Sequence, residues 1–228
     1  MTIALDTAIS GLRAAQRALH TISSNIPNAG TEGYSRKILP QETLLVGGQA
    51  VGVRLQAVVR NVDMTLLKDL VRQISVKNSA QTRESYLSRI QDFHGPAEAE
   101  RSLSAQVGKL ADAFSELSGS PDSDIQLAKV LTSAQETAST FNRFTRLLDD
   151  LRNQAQAEIA SAVTEVNRAL TSIASLNQRI AVLDSRGDST AEFEDQRDIE
   201  IRKVSEYLEV SSFQAENKRI VLMTRQGQ

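Results

Sequence analysis

The sequence contains no cysteine and no tryptophan, and aromatic residues make up only 4% of its 228 residues. Without cysteine the chain has no disulfide bonds, no thiolate chemistry and no cysteine zinc site. The absence of cysteine also suits an extracellular protein. So few aromatic side chains argue against a compact globule built around an aromatic core.

Strong net charge and long apolar segments are missing as well. The formal net charge is −2, which gives no electrostatic footprint for nucleic acid. No stretch approaches the ~20 consecutive apolar residues that a membrane helix needs, so we predict no membrane insertion. Residues 1–20 include Asp6, Arg13 and Arg17 and lack a continuous apolar region, which excludes an ordinary cleaved signal peptide.

Residues typical of catalytic sites do not form a recognisable pattern. His20 and His94 have no partner at a spacing that favours acid–base or metal chemistry. Carboxylates between residues 192 and 200 would spread around a helix, which predicts a charged outer face with an i,i+4 pair between Asp198 and Arg202. We therefore predict that the protein is not an enzyme and has no catalytic, cofactor-binding or metal-binding residue.

The N-terminal helix carries a narrow apolar stripe with a seven-residue repeat. This heptad seam consists of Leu5, Ala8, Leu12, Ala15, Leu19, Ile22 and Ile26. Such spacing is typical of a helix that pairs with another helix rather than covering a broad core. Pro27 predicts the end of the helix, and a loop rich in Asn, Gly and Thr follows as far as Arg36. An N-terminal coiled-coil element joined to such a loop indicates assembly.

The rest of the chain is dominated by helical patterns. The hydrophobic periodicity predicts helices at 62–92, 97–118, 122–183 and 191–207. The third has no proline or glycine inside it, and about 60 residues would make a rod of roughly 90 Å. A rod of that length is expected to be stabilised by other helices packed along it.

Two short segments show strand patterns instead. Residues 37–60 contain strand-like runs with a turn at Gly47-Gly48, and residues 209–224 contain a second hairpin. The predicted fold class is mainly α. It is an elongated helical bundle or coiled-coil rod with a long central helix, plus small β-hairpins in these two segments.

The loop after the heptad seam resembles the N-terminal signature of bacterial flagellar rod, hook and hook-associated axial proteins. In that family, asparagines close the heptad helix, and a threonine, a glycine, an aromatic residue, a serine or threonine, and an arginine follow. The matching residues here are Asn25, Asn28, Thr31, Gly33, Tyr34, Ser35 and Arg36. Ser24 stands where a second asparagine is common, and Pro27 where a small residue is common.

The resemblance implies that the heptad seam and the loop from Asn25 to Arg36, called the signature loop below, are assembly sites. The implied assembly residues are Leu5, Leu12, Leu19, Ile22, Asn25, Asn28, Thr31, Gly33, Tyr34 and Arg36. Within this set, Tyr34 and Arg36 are expected to make contacts between subunits, because their planar groups suit interfaces.

Two further segments narrow the resemblance to the family of the first hook-associated protein, at the hook–filament junction. They are the run 52–60 leading into Asp63, and Asp195-Gln196-Arg197-Asp198, interpreted as a structural polar clamp between helix and bundle. Rod and hook proteins continue mainly into β-structure, whereas this chain continues into helices. The implied domains are a tube-lining segment at 1–60, a helical bundle at 61–208, and the start of a truncated β-rich segment at 209–228.

The function implied by the resemblance is that of a structural subunit that caps the hook and supports filament assembly and motility. Its partners would be copies of itself, the hook protein, the next junction protein, and an export chaperone bound to a C-terminal helix. That helix and the outer domain are expected to be missing from this chain. The protein would be extracellular, exported through the flagellar type III apparatus. Two alternatives stay open: another rod or hook axial protein, and a cytoplasmic coiled-coil adaptor.

Overall fold

A computed structural model of the protein describes residues 2–96, 102–224 and 227. Five helices hold most of these residues, which confirms the mainly α prediction. The helices are α1 Thr2–Asn28, α2 Met64–His94, α3 Leu103–Gly119, α4 Asp124–Ser185 and α5 Ala191–Ser205. The strands are β1 Lys37–Ile38, β2 Gln41–Val46, β3 Gln49–Leu55, β4 Val59–Arg60, β5 Val210–Gln214 and β6 Ile220–Thr224.

Helix boundaries follow the sequence prediction closely, with one exception. The 62 residues of α4 form one helix, which confirms the long central element. In contrast, α1 continues through Pro27 to Asn28 instead of ending before the proline. A proline this close to a helix end removes few hydrogen bonds, and the Asn28 side-chain amide donates to the Ser24 carbonyl at 2.8 Å.

The start of α3 is set by a side-chain cap. The Ser102 hydroxyl accepts a hydrogen bond from the Ala105 amide at 3.1 Å, which satisfies one of the free N–H groups at the helix start. Residues 97–101, where the sequence also predicts helix, lie outside the described residues.

The chain folds as two compact units. The first unit comprises Met1–Asn78 and Thr164–Gln228, and the second comprises Ser79–Val163. The division into segments 1–60, 61–208 and 209–228 concerns the protein in an assembly and stays a prediction.

The first unit has a small aliphatic core where α2, α4 and α5 meet the β5–β6 hairpin. The buried members are Val71, Ala169, Ile173, Ile201, Val204 and Ile220. Full burial of a valine or isoleucine side chain contributes about 1.5–3 kcal/mol. Because an isolated two-stranded hairpin is marginal in water, the packing of Val210 and Leu222 against this core stabilises β5 and β6.

The second unit places parts of α2 and α3 along α4, as predicted for so long a helix. Near the end of α2, the ring centroids of Phe93 and Phe144 lie 5.1 Å apart. Near the end of α3, Glu116 forms an ion pair with Lys129 at 2.5 Å.

The N-terminal arm, defined here as residues 2–60, contains α1 and two small antiparallel ladders. Strand β1 pairs with β4, and β2 pairs with β3. The β2–β3 connection is Gly47-Gly48, with φ of 60° and 84°. Two consecutive positive φ values match the type I′ turn that two-residue hairpins favour, so the predicted turn is confirmed.

Candidate assembly site

The heptad seam faces solvent in this structure. Its large side chains have exposed fractions of 62% for Leu5, 61% for Leu12, 64% for Leu19, 53% for Ile22 and 70% for Ile26. Single exposed leucines are ordinary, but a contiguous apolar stripe of this kind is typical of an interaction surface.

A second stripe on α1 packs against the hairpins of the arm. Ala14 and Thr21 are buried. The Thr7 hydroxyl donates to the Val51 carbonyl at 2.7 Å. Thr7, Ala14 and Thr21 also repeat every seven residues, so α1 carries two heptad stripes on different faces. The small and polar stripe is used inside the chain, and the large apolar stripe is left free.

Asn25 ties the end of α1 to strand β1. Its side-chain amide donates to the Lys37 carbonyl at 2.9 Å, and its side-chain oxygen accepts from the Lys37 amide at 2.8 Å. In this way the asparagine side chain imitates a paired strand. The same oxygen accepts from the Tyr34 hydroxyl at 2.8 Å. The Lys37 ammonium lies 4.6 Å from the centre of the Tyr34 ring, which adds a cation–π contact.

The other signature residues have fewer contacts. The Thr31 hydroxyl reaches the Asn28 side-chain oxygen at 3.4 Å, which closes the loop directly after α1. Arg36 is exposed.

Gly33 brings the signature loop into direct contact with α5. Its φ is +82°, and a Cβ atom built there would lie 2.5 Å from Ile199 and 2.8 Å from the Arg202 guanidinium. Only glycine combines this backbone conformation with such a close approach. The glycine of the signature therefore sets the distance between the loop and α5.

We expect Gly33→Ala to lower the free energy of unfolding of the first unit by about 2–4 kcal/mol, combining backbone strain with overpacking. Gly11→Ala is the matched control. Gly11 lies inside α1 with no atom within 4 Å of an added Cβ, so alanine there should be neutral or slightly stabilising. Urea denaturation of both variants measures the difference. Equal stabilities of the two variants would show that the signature loop is not in close contact with α5 at Gly33.

Asp195 receives most of the polar contacts between the signature loop and α5. Its carboxylate accepts from the Ser35 amide at 3.0 Å and from the Ser35 hydroxyl at 2.5 Å. The Lys37 ammonium forms a direct ion pair with it, and both side chains are nearly inaccessible, with 4% and 7% exposed. The Arg60 guanidinium lies 3.5 Å from the other side-chain oxygen of Asp195.

Arg60 extends this contact to the neighbouring carboxylates. Its Nε atom lies 2.7 Å from Glu194, and its Nη1 atom pairs directly with Asp198. Burial lowers the pKa of Arg60, but the carboxylates of Asp198, Glu194 and Asp195 outweigh burial, so its pKa lies above the ordinary value. We call Lys37, Arg60, Glu194, Asp195 and Asp198 the charge cluster.

Asp198 is the least satisfied member of the charge cluster. Burial raises its pKa, although Arg60 and Arg197 oppose that shift. Its Oδ1 atom is buried and has no hydrogen-bond partner among the described residues. A carboxylate with one oxygen left unbonded is poorly compensated for its loss of water, which explains the direction of the shift.

Arg197 points to another part of the first unit. Its Nη1 atom donates to the Asn177 side-chain oxygen at 3.0 Å and to the Lys218 carbonyl at 2.7 Å. Asn177 in turn pairs with both backbone groups of Ile220. Arg197 therefore links α5 to α4 and to the start of β6, and burial lowers its pKa. Gln196 is exposed.

The predicted charged outer face at residues 192–200 is wrong for Asp195 and Asp198, whereas Glu192 is exposed as predicted. Asp195, Arg197 and Asp198 are buried, and Asp198 pairs with Arg60 rather than with Arg202. The physical reason is that the arm supplies cations to this face of α5, so its carboxylates need not face water.

Three of the cluster's members were missed by the sequence interpretation as site residues: Lys37, Arg60 and Glu194. The only available signal was that Lys37 and Arg60 are the end residues of the strand-like segment 37–60.

The described residues hold no group of three or more histidine or acidic side chains placed to bind a metal ion. His20 is exposed, and the His94 ring lies 4.9 Å from the Phe144 ring, at a tilt of 58°. None of the helices that the structure describes combines the length and the apolar character needed to cross a lipid bilayer.

Comparison with known proteins gives matches to two family models. Residues 5–34, which hold the whole heptad seam and the signature loop as far as Tyr34, match the family described as flagella basal body rod protein. This match covers 30 residues and shows that the N-terminal segment is similar to that family.

Residues 87–228 match the family described as flagellar hook-associated protein FlgK helical domain. Because the match covers more than half of the chain, the chain belongs to this family.

The chain is also similar over most of its length to curated relatives. It is 27% identical over 218 residues to flagellar hook-associated protein 1 of Bacillus subtilis strain 168, which covers 90% of this chain and 43% of that protein. It is 29% identical over 205 residues to the protein of the same name from Salmonella typhimurium strain LT2, with 87% and 37% covered. The chain thus spans about two fifths of the length of these relatives.

Proposed function

We propose that this protein is a structural subunit of the bacterial flagellum at the hook–filament junction, acting by self-association and docking. The observation that carries the proposal is the solvent-exposed heptad seam, on a chain that belongs to the FlgK helical-domain family. Burying such a seam against other helices stabilises an assembly without any covalent chemistry. The subunit would in this way support filament assembly and motility.

The proposed partners follow from the exposed seam and from the resemblance to flagellar axial proteins, while the relatives' printed names mention only the hook. They are copies of the chain, the hook protein, the next junction protein and a flagellar export chaperone. The protein would act outside the cell, exported without a cleaved signal peptide. Residues 1–60 would line the tube, residues 61–208 would form the helical domain, and residues 209–228 would begin a β-rich segment.

The signature loop would have two roles: some of its residues hold its shape inside the chain, and others are exposed to a neighbouring subunit. Asn25 and Gly33 are engaged inside the chain, so we assign them to shaping the loop. Arg36 is exposed and offers a planar guanidinium to a neighbouring subunit. Asp195, Arg197 and Asp198 would act as the polar clamp through the contacts described above, with Gln196 on the outside.

Two other functions predict different structures or locations. A rod or hook protein would replace much of α4 with β-domains, which the 62-residue helix disfavours. A cytoplasmic coiled-coil adaptor could share the helices, so location is what distinguishes it.

Immunogold electron microscopy of intact flagella tests the proposal, using antibodies raised against α4. We expect gold particles between the hook and the filament, and loss of label from cells that lack the gene. Label confined to the cytoplasm would refute the proposed function in favour of the adaptor.

A further inference from the structure

The N-terminal arm is braced internally, so it can move as one body. The Val53 amide donates to the Ser10 hydroxyl at 3.3 Å, next to the bond from Thr7 to the Val51 carbonyl. A Cβ atom on Gly52 would lie 2.7 Å from the Ser10 hydroxyl, so α1 and β3 are in close contact. With Asn25 pairing β1 to the end of α1, the arm is tied together near both ends of its helix.

The base of the arm is the β1–β4 ladder, where Lys37 and Arg60 are direct cross-strand partners. Two like charges in that position repel each other. Asp195 contacts both of these cations from α5. The carboxylate therefore compensates a charge pair that the strand register itself creates.

The contact of Asp195 with Lys37 and Arg60 is directional, because it involves few side chains and because these side chains are buried. The side chains of Lys37, Arg60 and Asp195 are 4%, 8% and 7% exposed. Separating the partners of a buried ion pair leaves an uncompensated charge. Any position of the arm that separates them is therefore disfavoured relative to the paired position. An apolar contact alone would tolerate sliding or rotation far better, since hydrophobic burial is non-directional.

We propose that Asp195 is a positioning residue that fixes the direction in which the N-terminal arm leaves α5. In this way it sets where the heptad seam points. The consequence for assembly rests on the proposed function, whereas the positioning itself is a property of the isolated chain.

The chain has no cysteine, so two introduced cysteines give clean spin-label sites. His20 on α1 and Gln178 on α4 are both exposed. Double electron–electron resonance between labels at these sites should give one narrow distance distribution in the otherwise unchanged chain. In Asp195→Asn the distribution is expected to shift or to broaden about twofold, as an arm with several accessible directions would.

Two further variants make the outcome decisive. Lys37→Met removes the cation from the arm side and leaves α5 unaltered, so it answers the question even if Asp195→Asn loses helix in circular dichroism. Asp188→Asn, at an exposed aspartate just before α5, should leave the distribution unchanged. An unaltered narrow distribution in Lys37→Met, or in a folded Asp195→Asn, would overturn the proposal. Neither result depends on where the protein lies in the cell.

Discussion

Replacing Arg60 by methionine is expected to lower the free energy of unfolding of the first unit by about 3–5 kcal/mol at pH 7. The Arg60 side chain is 8% exposed and contacts Glu194, Asp195 and Asp198. Methionine keeps much of the aliphatic volume but leaves three carboxylates with Lys37 as the remaining cation of the cluster. Urea denaturation followed by circular dichroism measures the loss.

Arg54→Met is the matched control, since Arg54 is exposed on β3 and its replacement should change stability by no more than about 0.5 kcal/mol. The loss in Arg60→Met should also shrink as the pH falls. Burial raises the pKa of Asp198 and Arg60 opposes that shift, so without the guanidinium the pKa of Asp198 rises further. The folded variant then binds a proton more tightly at Asp198 than the unfolded chain does, and it gains stability on acidification. A loss equal to that of Arg54→Met would contradict the buried charge cluster.

The second large effect is expected on assembly. Replacing Leu12 and Leu19 together by aspartate should abolish filament-bearing hooks in cells whose gene carries the change. Each leucine is more than 60% exposed in the isolated chain. Burying both in an interface would contribute about 3–6 kcal/mol, which corresponds to a change in affinity of at least about 100-fold. Counting filaments by electron microscopy gives the readout.

A control must show that exposed leucines in general tolerate this change. Leu66 on α2 and Leu131 on α4 are 67% and 60% exposed and lie outside the seam. Their double replacement by aspartate should leave filaments in place. The seam variant should also unfold at nearly the same temperature as the unmodified chain, because Leu12 and Leu19 pack little against the interior of the fold. Normal filaments on cells with the seam variant would refute the role of the heptad seam.

The helices could be predicted from sequence because their signals are local. Absence of proline and glycine between residues 122 and 183 left no break in an apolar period close to 3.5, and α4 fills that segment. The turn at Gly47-Gly48 was likewise predictable, because two glycines accept positive φ freely.

The charge cluster could not be predicted, because it depends on tertiary contacts. Hydrophobic periodicity identifies buried faces by their apolar residues, and the face of α5 that carries Asp195 and Asp198 is polar. Its burial depends on Lys37 and Arg60. These two residues are separated by more than twenty positions and become neighbours only through the β1–β4 register. Nothing in the spacing of either segment specifies that pairing.

Pro27 shows the limit of a local rule. Proline usually marks the end of a helix, yet α1 includes it. Asn28 accounts for the difference, since its side chain bonds back to Ser24 in the last turn. The apolar seam was predicted from its spacing in the sequence. Its lack of a partner within the described chain became visible only in the structure, where the other face of α1 packs on the hairpins.

The most direct test of the central claim is an electron cryo-microscopy map of the hook–filament junction from the organism that makes this protein. The subunit assigned to this chain should have Leu5, Leu12 and Leu19 buried against helices of the tube, with the charge cluster intact at the base of the arm. A map in which these leucines face the solvent or the channel, or in which no junction subunit fits the chain, would contradict the claim.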